Sequence, residues 1–392
     1  MGQVRFASMR RAYEAGRNTQ RANKLPTNPF ITDVRKWLAD GQMSPMECSI
    51  RDCFETFVDN GRELAESYNP QRVNHEDHLL LEAAGAVDMS AFSNIFGQIT
   101  YTLVMERWNN PDLCWSQLVD NVQTNYNGQK VPGVGGIGDQ FTAIGEGQEY
   151  PMANFSEEWV DTPQTTKRGG IVAVTKEAVF FDNTGEVLNR AASYSDAFAL
   201  NKEKRVLDTV LGITTSYKYM GAAAQATYVD SPYDNLAASN TLTDYTSIDT
   251  ARRLFQAMVD PTTGEPIAVV PNTLIYPAGL DSTVDRILNS TQVVQGAISG
   301  TVPRTYSPTP GPTGKPRPVT GLYVASRLGN NTTWFLGDPK RAFKYMMNWD
   351  ITSVPMPNGS YDEWRRDIVA GYKVTERGTP AVIEPRYMVK CT

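Results

Sequence analysis

Gly169–Ala178 reads Gly-Gly-Ile-Val-Ala-Val-Thr-Lys-Glu-Ala, an alternating strand followed at once by helix-forming residues, and it divides two unlike segments. Before it, Tyr126–Gly170 is polar and rich in glycine, with almost no continuous apolar run. Such a segment cannot bury a core of its own, and compact domains rarely contain so long a loop without a functional reason. The pattern predicts an extended arm that is completed by packing against other copies of the chain.

A single long helix is predicted after this stretch, over Gly185–Leu211. Thr184 is a suitable N-cap, and Gly212 suits the position just beyond the C-terminal end. At ~1.5 Å per residue the helix would be a rod of roughly 40 Å, which is long for a globular protein. Its apolar surface is predicted to contain Val187, Ala191, Tyr194, Phe198, Leu200, Leu207 and Leu211. The helix would give the arm a rigid base.

The composition is that of an ordinary globular protein. The chain has 392 residues, 41% hydrophobic and 20% charged, with a formal net charge of −6. Two or three domains are therefore expected, and a surface that binds nucleic acid throughout is not. The cysteines are scattered, which predicts free thiols rather than disulfides or a zinc site: Cys48, Cys53, Cys114 and Cys391. No apolar run reaches the roughly 18 residues of a membrane span, and the N-terminus lacks a secretory signal.

The first part of the chain is predicted to be helical. Residues 1–24 are basic, with Arg5, Arg10, Arg11, Arg17, Arg21 and Lys24 against Glu14. After a break at Leu25–Pro29, helical patterns occupy Thr32–Ala39, Met46–Val58, His78–Ala86 and Ser90–Arg107. In the last of these, the apolar residues Phe92, Ile95, Phe96, Ile99 and Leu103 recur every three or four positions. One stripe of that helix should be buried.

From residue 220 onward the pattern is mixed. It predicts a helix containing Ile248, Ala251, Leu254, Phe255 and Met258, strands at Ile267–Val270 and Thr273–Tyr276, a helix at Leu280–Leu288 and an exposed loop at Thr301–Pro318. An antiparallel sheet is predicted from Gly321–Val324, Thr333–Leu336, Tyr345–Trp349, Trp364–Glu376 and Ala381–Lys390, with turns at Asn358–Gly359 and Arg377–Gly378. Because no βαβ repeat occurs, the fold class is α+β.

One glycine motif raises the alternative of a nucleotide-dependent oxidoreductase. Gly133–Gly138 matches the dinucleotide-binding GxGxxG pattern. That motif needs a preceding strand and a following helix N-terminus, which holds the pyrophosphate. Here Val131 and Pro132 precede it, and further glycines follow. We interpret it as the tip of a hairpin.

Other motifs also favour surface roles over chemistry. His75 and His78 are the two histidines of the chain, and they match no zinc spacing with a third ligand. A serine or cysteine nucleophile that needs a histidine as its base would have to lie beside His75 or His78. Glu157 and Glu158 are expected to be solvated surface charges of the arm. The sequence predicts no catalytic, cofactor-binding or metal-binding residue.

Several short motifs, in their order, resemble those of tailed-phage major capsid proteins. The first is Glu146–Pro151, an EGxEYP-like turn, followed by Thr166–Gly169, Val174–Ala178 and Asp182–Gly185. Thr263–Pro266 and Pro271–Ala278 resemble the axial-domain strand and helix of the same proteins. The resemblance covers roughly residues 120–390. It implies a Hong Kong 97-type fold with an N-terminal arm, an extended loop, a peripheral domain with a long spine helix, and an axial domain.

The resemblance also implies a domain division and a function. Residues 1–119 would be the N-terminal arm and leading helices, 120–173 the extended loop, 174–219 the peripheral domain with the spine helix, 220–340 the axial domain, and 341–392 the return to the peripheral sheet. The function would be that of a major capsid protein that assembles as hexamers and pentamers into an icosahedral shell around double-stranded DNA. Portal, scaffolding and decoration proteins are expected partners. Assembly would occur in the host cytoplasm. An encapsulin-type nanocompartment shell is the alternative with the same fold.

Charged residues of the arm are the candidate contacts between subunits: Lys130, Glu146, Glu149, Glu157, Glu158, Lys167 and Arg168. Residues of the basic N-terminus are candidates for facing DNA or scaffold: Arg5, Arg10, Arg11 and Arg17. No cofactor, metal or membrane is expected to take part.

Overall fold

The computed structural model describes residues 13–16, 18–19, 22–23, 29–40, 99, 101–103, 105–108, 113–133, 143–149, 158–175, 186–260, 264–267, 269–289, 293–294, 305–306, 316–321, 324, 326–327, 332–356, 365–366 and 368–392. The chain divides into two compact units. One is drawn from Met1–Asn110, Lys167–Leu200 and Asp350–Glu376, and the other from Pro111–Thr166, Asn201–Trp349 and Arg377–Thr392.

The helices are α1 (Pro29–Ala39), α2 (Trp115–Leu118), α3 (Glu186–Val210), α4 (Tyr245–Ala257), α5 (Asp281–Asn289) and α6 (Pro339–Ala342). The strands are β1 (Asp120–Gln123), β2 (Lys130–Pro132), β3 (Trp159–Asp161), β4 (Thr166–Thr175), β5 (Leu236–Ala237), β6 (Thr273–Ile275), β7 (Val293–Val294), β8 (Thr305–Tyr306), β9 (Arg317–Val319), β10 (Trp334–Gly337), β11 (Phe343–Pro355), β12 (Ile368–Val382) and β13 (Met388–Cys391).

The long helix predicted from the sequence is present as α3. Beyond its end, Gly212 has a φ of +69°, and its N–H donates to the carbonyl of Thr209 at 3.1 Å. A side chain there would be strained and would meet the Tyr228 ring, so glycine ends the helix as predicted. The C-terminal half of α3 buries Val206, Leu207 and Val210.

The stripe predicted for the N-terminal half of α3 is described only in part: the Phe198 ring centre lies 5.5 Å from that of the buried Trp108, and the side chains of Val187 and Ala191 lie outside the described residues. Ala192, Ser195 and Ala199 are buried, whereas Tyr194 is 36% exposed. Ala192 packs against Leu103 and Val172, in contacts that favour small side chains. The periodicity of the helix was predictable, but the packing partners selected small residues for the buried face.

A five-stranded mixed sheet has the order β5-β13-β10-β6-β9. The central strand β10 runs antiparallel to β13 and β6, while β9 and β5 are parallel to their neighbours. All four residues of β10 are buried, as expected for a short continuous apolar run. Helix α4 packs its apolar stripe here, in a cluster that includes Ile248, Phe255, Val284, Trp334 and Leu336.

A four-stranded sheet has the order β1-β11-β12-β4. β1 and β11 run parallel, with Asp120 opposite Lys344. The Asp120 carboxylate lies 3.1 Å from Lys344 Nζ and 3.8 Å from Lys340 Nζ. At the opposite end of the sheet, β4 lies beside β12. A Cβ on Gly169 of β4 would lie 2.4 Å from the Val374 carbonyl oxygen of β12. Glycine at this position of β4 therefore permits the close approach to β12.

Two predictions for the C-terminal part are wrong. Gly378 lies inside β12 rather than in a turn, and a Cβ there would lie 2.6 Å from the Tyr345 ring. This glycine makes room for an aromatic side chain instead of reversing the chain. The strand predicted at Gly321–Val324 is wrong at Val324, which is helical and whose N–H donates to the Gly321 carbonyl at 3.1 Å; residues 322 and 323 lie outside the described residues. β10 and β13 pair antiparallel as predicted, and strands from earlier in the chain add parallel neighbours to the two larger sheets.

Other boundaries shift for local reasons. Residues 267, 269 and 270 lie outside strands, because the chain closes a turn in which Asp260 N–H donates to the Glu265 carbonyl at 2.8 Å. The predicted loop Thr301–Pro318 contains β8 and the start of β9, which pairs in parallel with β6. The predicted strand Ala381–Lys390 is interrupted by a 3₁₀ turn at Pro385–Tyr387.

The remaining predictions agree or lie elsewhere in the chain. α1, α4, α5, β6 and β10 match predicted elements to within three residues. Ile99 and Leu103 are helical and buried, as their stripe predicted. The predictions at Met46–Val58, His78–Ala86, Thr184, His75 and Asn358–Gly359 lie outside the described residues.

Candidate assembly surface

The base of the predicted arm is a two-stranded ribbon. β2 and β3 run antiparallel, with Lys130 opposite Asp161 and Pro132 opposite Trp159. The ribbon is closed by Gly133 N–H, which donates to the Glu158 carbonyl at 3.0 Å. Lys130 Nζ lies 4.4 Å from the centre of the Trp159 ring, a cation–π distance. The ribbon is therefore locked within its own chain by backbone and side-chain contacts.

A third segment pairs with the outer side of this ribbon. Asp161 N–H donates to the Lys218 carbonyl at 2.9 Å, and Met220 N–H donates to the Trp159 carbonyl at 3.0 Å. Val160 bridges Tyr219 in the same pairing and is 1% exposed. The ribbon thus has a fixed root, and the segment that it carries begins and ends at two residues that are hydrogen-bonded to each other.

The structure describes residues 143–149 of the segment that the ribbon carries, and each of these residues is exposed. They form a turn in which Gln148 N–H donates to the Gly145 carbonyl at 3.1 Å, and Gly147 has a φ of +80°. Glu146 and Glu149 project from this turn into solvent. The turn is therefore acidic and open to contact.

Strand β4 combines a covered face with an exposed one. Val174 is 1% exposed, and Val172 packs against the buried pair Leu103 and Ala192. On the alternate positions, Ile171 is 70% exposed and Ala173 is exposed. β4 also ends the strand order of its sheet. Among the residues that the structure describes, this strand presents one hydrogen-bonding edge without a neighbouring strand, a feature that favours association.

The predicted contact residues fall into three groups. Lys130, Glu146, Glu149, Lys167 and Arg168 are exposed. Glu158 is only 9% exposed, so the expectation of a solvated carboxylate is wrong there. Its backbone carbonyl also closes the ribbon by accepting from Gly133 N–H at 3.0 Å. Glu157 and the basic residues Arg5, Arg10, Arg11 and Arg17 lie outside the described residues.

One exposed residue near the ribbon was not singled out from the sequence. Tyr126 is 68% exposed and lies in the loop between β1 and β2. The signal that could have found it is Asn125–Gly128, whose Asn and Gly residues favour a tight turn. Gly128 has a φ of +82°, in agreement with that signal.

Glu203 and the two described cysteines, Cys114 and Cys391, are buried. Glu203 accepts from Cys114 N–H at 3.2 Å and from Trp115 N–H at 2.9 Å, so it holds the start of α2. Burial, followed by the nearby Glu203, raises the pKa of the Cys114 thiol. Burial also raises the pKa of the Cys391 thiol to about 12. Both cysteines are free, as predicted, and both thiols stay protonated at neutral pH, which makes them poor nucleophiles.

The described residues contain no group of three or more His, Cys, Asp or Glu side chains placed to hold a metal ion. None of the described helices has both the length and the apolar character needed to cross a membrane. A strand does precede Gly133, contrary to the sequence argument, but it is part of an antiparallel ribbon. The dinucleotide motif requires a parallel βαβ unit, so this strand does not supply its context.

Comparison with known proteins gives one family. The model of the phage capsid protein family matches residues 158–391, more than half of the chain. No curated protein matches the sequence.

Among solved structures, one from Mycobacterium phage Bobi has a TM-score of 0.44 and 13% identity, covering 71% of this chain and 90% of that chain. One from Gordonia phage Cozz has a TM-score of 0.41 and 14% identity, covering 72% and 86%. A crystal structure of a virus-like particle from Pyrococcus furiosus has a TM-score of 0.41 and 9% identity, covering 75% and 98%.

The family match agrees with the expectation formed from the sequence motifs. The prediction of an α+β fold of the Hong Kong 97 capsid type is confirmed by this match together with the mixed helices and sheets. The chain belongs to the phage capsid protein family: it is a major capsid protein, a structural subunit of the virion shell that assembles with copies of itself.

Proposed function

We propose that this subunit assembles as hexamers and pentamers into an icosahedral shell around double-stranded DNA, and that its arm makes the contacts between neighbours. One observation carries the proposal. The ribbon β2–β3 is firmly rooted in its own chain, yet the described part of the segment that it carries, residues 143–149, is exposed throughout. A polar segment held out in this way gains packing only when another chain covers it.

The edge strand β4 supports the same assignment. Its outward positions include Lys167, Arg168 and Ile171, so it offers both positive charge and apolar surface. Glu146 and Glu149 of the arm have the opposite charge. Charges of opposite sign on two exposed elements favour a defined register between copies, because like charges would repel in any other alignment. We therefore retain these residues as the proposed contacts between subunits.

We assign the domains of the capsid fold to the residue ranges predicted from the sequence. Residues 120–173 would be the extended loop, 174–219 the peripheral domain, 220–340 the axial domain and 341–392 the return to the peripheral sheet. The N-terminal part, 1–119, would reach neighbours, with Arg5, Arg10, Arg11 and Arg17 facing DNA or scaffold. Portal, scaffolding and decoration proteins would complete the head, which would assemble in the host cytoplasm.

The ribbon geometry gives a precise test. Because Gly133 and Glu158 are hydrogen-bonded, residues 134–157 can be replaced by a short Gly–Ser turn without breaking the ribbon. We expect a soluble, folded subunit that forms no closed shells, as judged by electron microscopy and sedimentation after expression in a bacterial cytoplasm. The matched control replaces the same residues with a Gly–Ser linker of equal length, which separates the role of the arm's sequence from the role of its length.

Normal particles from the shortened variant would overturn the arm's role. The content of particles made by the unmodified chain tests the remaining part of the proposal. DNA that survives nuclease treatment inside the particles supports a phage head. An encapsulated enzyme in place of DNA would indicate the nanocompartment alternative.

A further inference from the structure

The loop between β1 and β2 holds an aromatic side chain in solvent. Among the large hydrophobic residues that the structure describes, Tyr126 and Ile171 are the most exposed, at 68% and 70%. Ile171 lies on the long strand β4, where one face must point outward in any case. Tyr126 instead lies in the six-residue loop Thr124–Gln129, where a polar residue would be expected. Its exposure calls for a separate explanation.

Hydrogen bonds fix the backbone on both sides of the tyrosine. Asn348 Nδ2 donates to the carbonyls of Thr124 at 2.8 Å and Tyr126 at 3.2 Å. Tyr126 N–H donates to Thr124 Oγ1 at 3.1 Å, and that hydroxyl donates to Gln129 Oε1 at 2.8 Å. These bonds hold the loop backbone, and with it the Cα of Tyr126, in one position.

The far side of the loop is anchored as well. Thr165 N–H donates to Asn127 Oδ1 at 2.9 Å. Thr165 is held in turn by Arg377, whose Nε donates to its hydroxyl at 3.0 Å. Gly128 provides the positive φ that the turn needs. The ring is thus presented on a preorganised support, and little backbone entropy remains to be lost when it binds.

We propose that Tyr126 is an anchor that inserts into a pocket on a second copy of this chain during shell assembly, an inference that rests on the proposed function. Tyrosine supplies a large, rigid contact area at low side-chain entropy, and such residues dominate the energy of protein interfaces. The support described above is what an anchor requires, because an anchor on a mobile loop would lose most of its binding energy to ordering.

The surroundings favour another copy of the chain over nucleic acid. Asn125 and Asn127 on either side are exposed, and residues 121–129 contain no charged side chain. Binding to a phosphate backbone depends on lysine and arginine, and residues 121–129 contain neither. The loop also leads directly into Lys130, the first residue of the ribbon that carries the arm. The anchor and the arm would therefore act on the same neighbourhood of an adjacent subunit.

The test compares Tyr126→Ala with Tyr126→Phe, which retains the ring. Truncating an anchor residue typically weakens association about thirtyfold, so we expect the alanine variant to raise the critical concentration for assembly at least about tenfold. The phenylalanine variant should assemble within about twofold of the unmodified chain. Both should show the circular dichroism and thermal midpoint of the unmodified subunit, because the side chain is exposed.

A second measurement uses the unmodified chain. Nitration with tetranitromethane, read by mass spectrometry, should label Tyr126 in dissociated subunits and leave it protected in particles. This result decides the matter if the alanine variant fails to fold. Shells that form from Tyr126→Ala at the usual concentration, or Tyr126 that is nitrated equally in particles and subunits, would overturn the anchor while leaving the shell itself established. If the unmodified chain forms no particles, the proposed function and the anchor are both wrong.

Discussion

β10 and β4 are strands of one chain with opposite surroundings. All four residues of β10 are buried, whereas the first four residues of β4 are exposed and one of its ten is buried. β10 has β13 and β6 on its two sides, while β4 ends the order of its sheet. The comparison indicates that β10 contributes to the stability of the subunit, and we propose that β4 contributes to association instead. Substitutions should therefore be able to change one without the other.

The physical reason is that the side chains of the two strands leave water at different stages. A residue of β10 leaves water when the chain folds, so its burial contributes to folding at about 25 cal/mol per Å² of apolar surface. Ile171 of β4 remains 70% exposed after folding. Most of its apolar surface leaves water only if another molecule covers it, so its contribution belongs to association.

The largest effect is expected at the centre of the buried sheet. Trp334 is 0% exposed, and its Nε1 donates to the Asn240 carbonyl at 2.7 Å. Trp334→Ala should lower the free energy of unfolding by about 3–5 kcal/mol, because it leaves a large cavity and an unpaired carbonyl. Urea denaturation followed by circular dichroism measures the change. Tyr126→Ala, an equally drastic truncation at an exposed site, serves as the control and should stay within about 0.5 kcal/mol. A similar loss of unfolding free energy in Trp334→Ala and Tyr126→Ala would contradict the distinction between buried and exposed sites.

A smaller but still large effect is expected at a buried amide beside this sheet. Asn235 is 0% exposed; its Oδ1 accepts from Val229 N–H at 2.7 Å, and its Nδ2 donates to the carbonyls of Thr227 at 2.9 Å and Pro385 at 3.0 Å. Asn235→Ala should cost about 2–3 kcal/mol, because it leaves these backbone groups buried and unpaired. The same denaturation experiment applies, with the exposed Asn125→Ala as the matched control. An unchanged midpoint for Asn235→Ala would show that water or relaxation replaces the amide.

A moderate, pH-dependent effect is expected at the start of α4. Asp244 is the N-cap and accepts from Thr246 N–H at 2.9 Å. Hydrogen bonding from Thr246 lowers the pKa of this carboxyl below its usual value of 3.8. Asp244→Ala should cost about 1 kcal/mol at neutral pH. Because the folded pKa is lowered, the part of this stability that depends on the charge is present above pH 3.8 and is lost as the pH falls through the folded pKa.

The control for the cap is Asp244→Asn, which retains an acceptor without a titrating group. It should keep most of the stability and show no such pH dependence. Thermal midpoints of the three proteins between pH 2.5 and 7 decide the point. A constant difference between the parent and Asp244→Asn over this range would exclude a role for the carboxylate charge.

The smallest effect on folding is expected on the exposed face of β4. Ile171→Ser should change the free energy of unfolding by no more than about 0.5 kcal/mol, since the side chain is already largely in water. It should nonetheless reduce the yield of assembled shells, measured by sedimentation. Ala173→Ser, at an exposed position of the same strand with less apolar surface, is the matched control and should assemble normally. A clear loss of stability in Ile171→Ser would show that this face is already used within the subunit.

Local sequence patterns predicted elements well where the signal was long and capped. Helix α3 was recoverable because its periodicity persists for many residues and a glycine follows it, and α4 because its apolar residues fall on one side. The continuation of β12 through Arg377 and Gly378 could not be predicted from the sequence. A glycine that reverses the chain and one that accommodates a neighbouring ring look identical in sequence, and only the position of Tyr345 distinguishes them.

For the candidate assembly surface too, the sequence predicted some features and missed others. The exposure of Lys130, Glu146, Glu149, Lys167 and Arg168 was predictable from their charge, but the burial of Glu158, at 9% exposed, was not. Tyr126 was missed because a single aromatic residue in a polar stretch carries no periodic signal. The loop that carries it is held by Asn348 and Thr165, residues that lie far away along the chain.

The sequence by itself determined the α+β class, the long helix and the kinship with phage capsid proteins, and it predicted the arm that precedes the helix. These depend on local composition, on periodicity and on short motifs in a fixed order, all of which are written along the chain. Tertiary structure alone decided which face of α3 is buried, that β4 ends its sheet and that Tyr126 is held outward. Each of these depends on contacts between residues distant in sequence, and the free energy of such contacts exists only once the chain has folded.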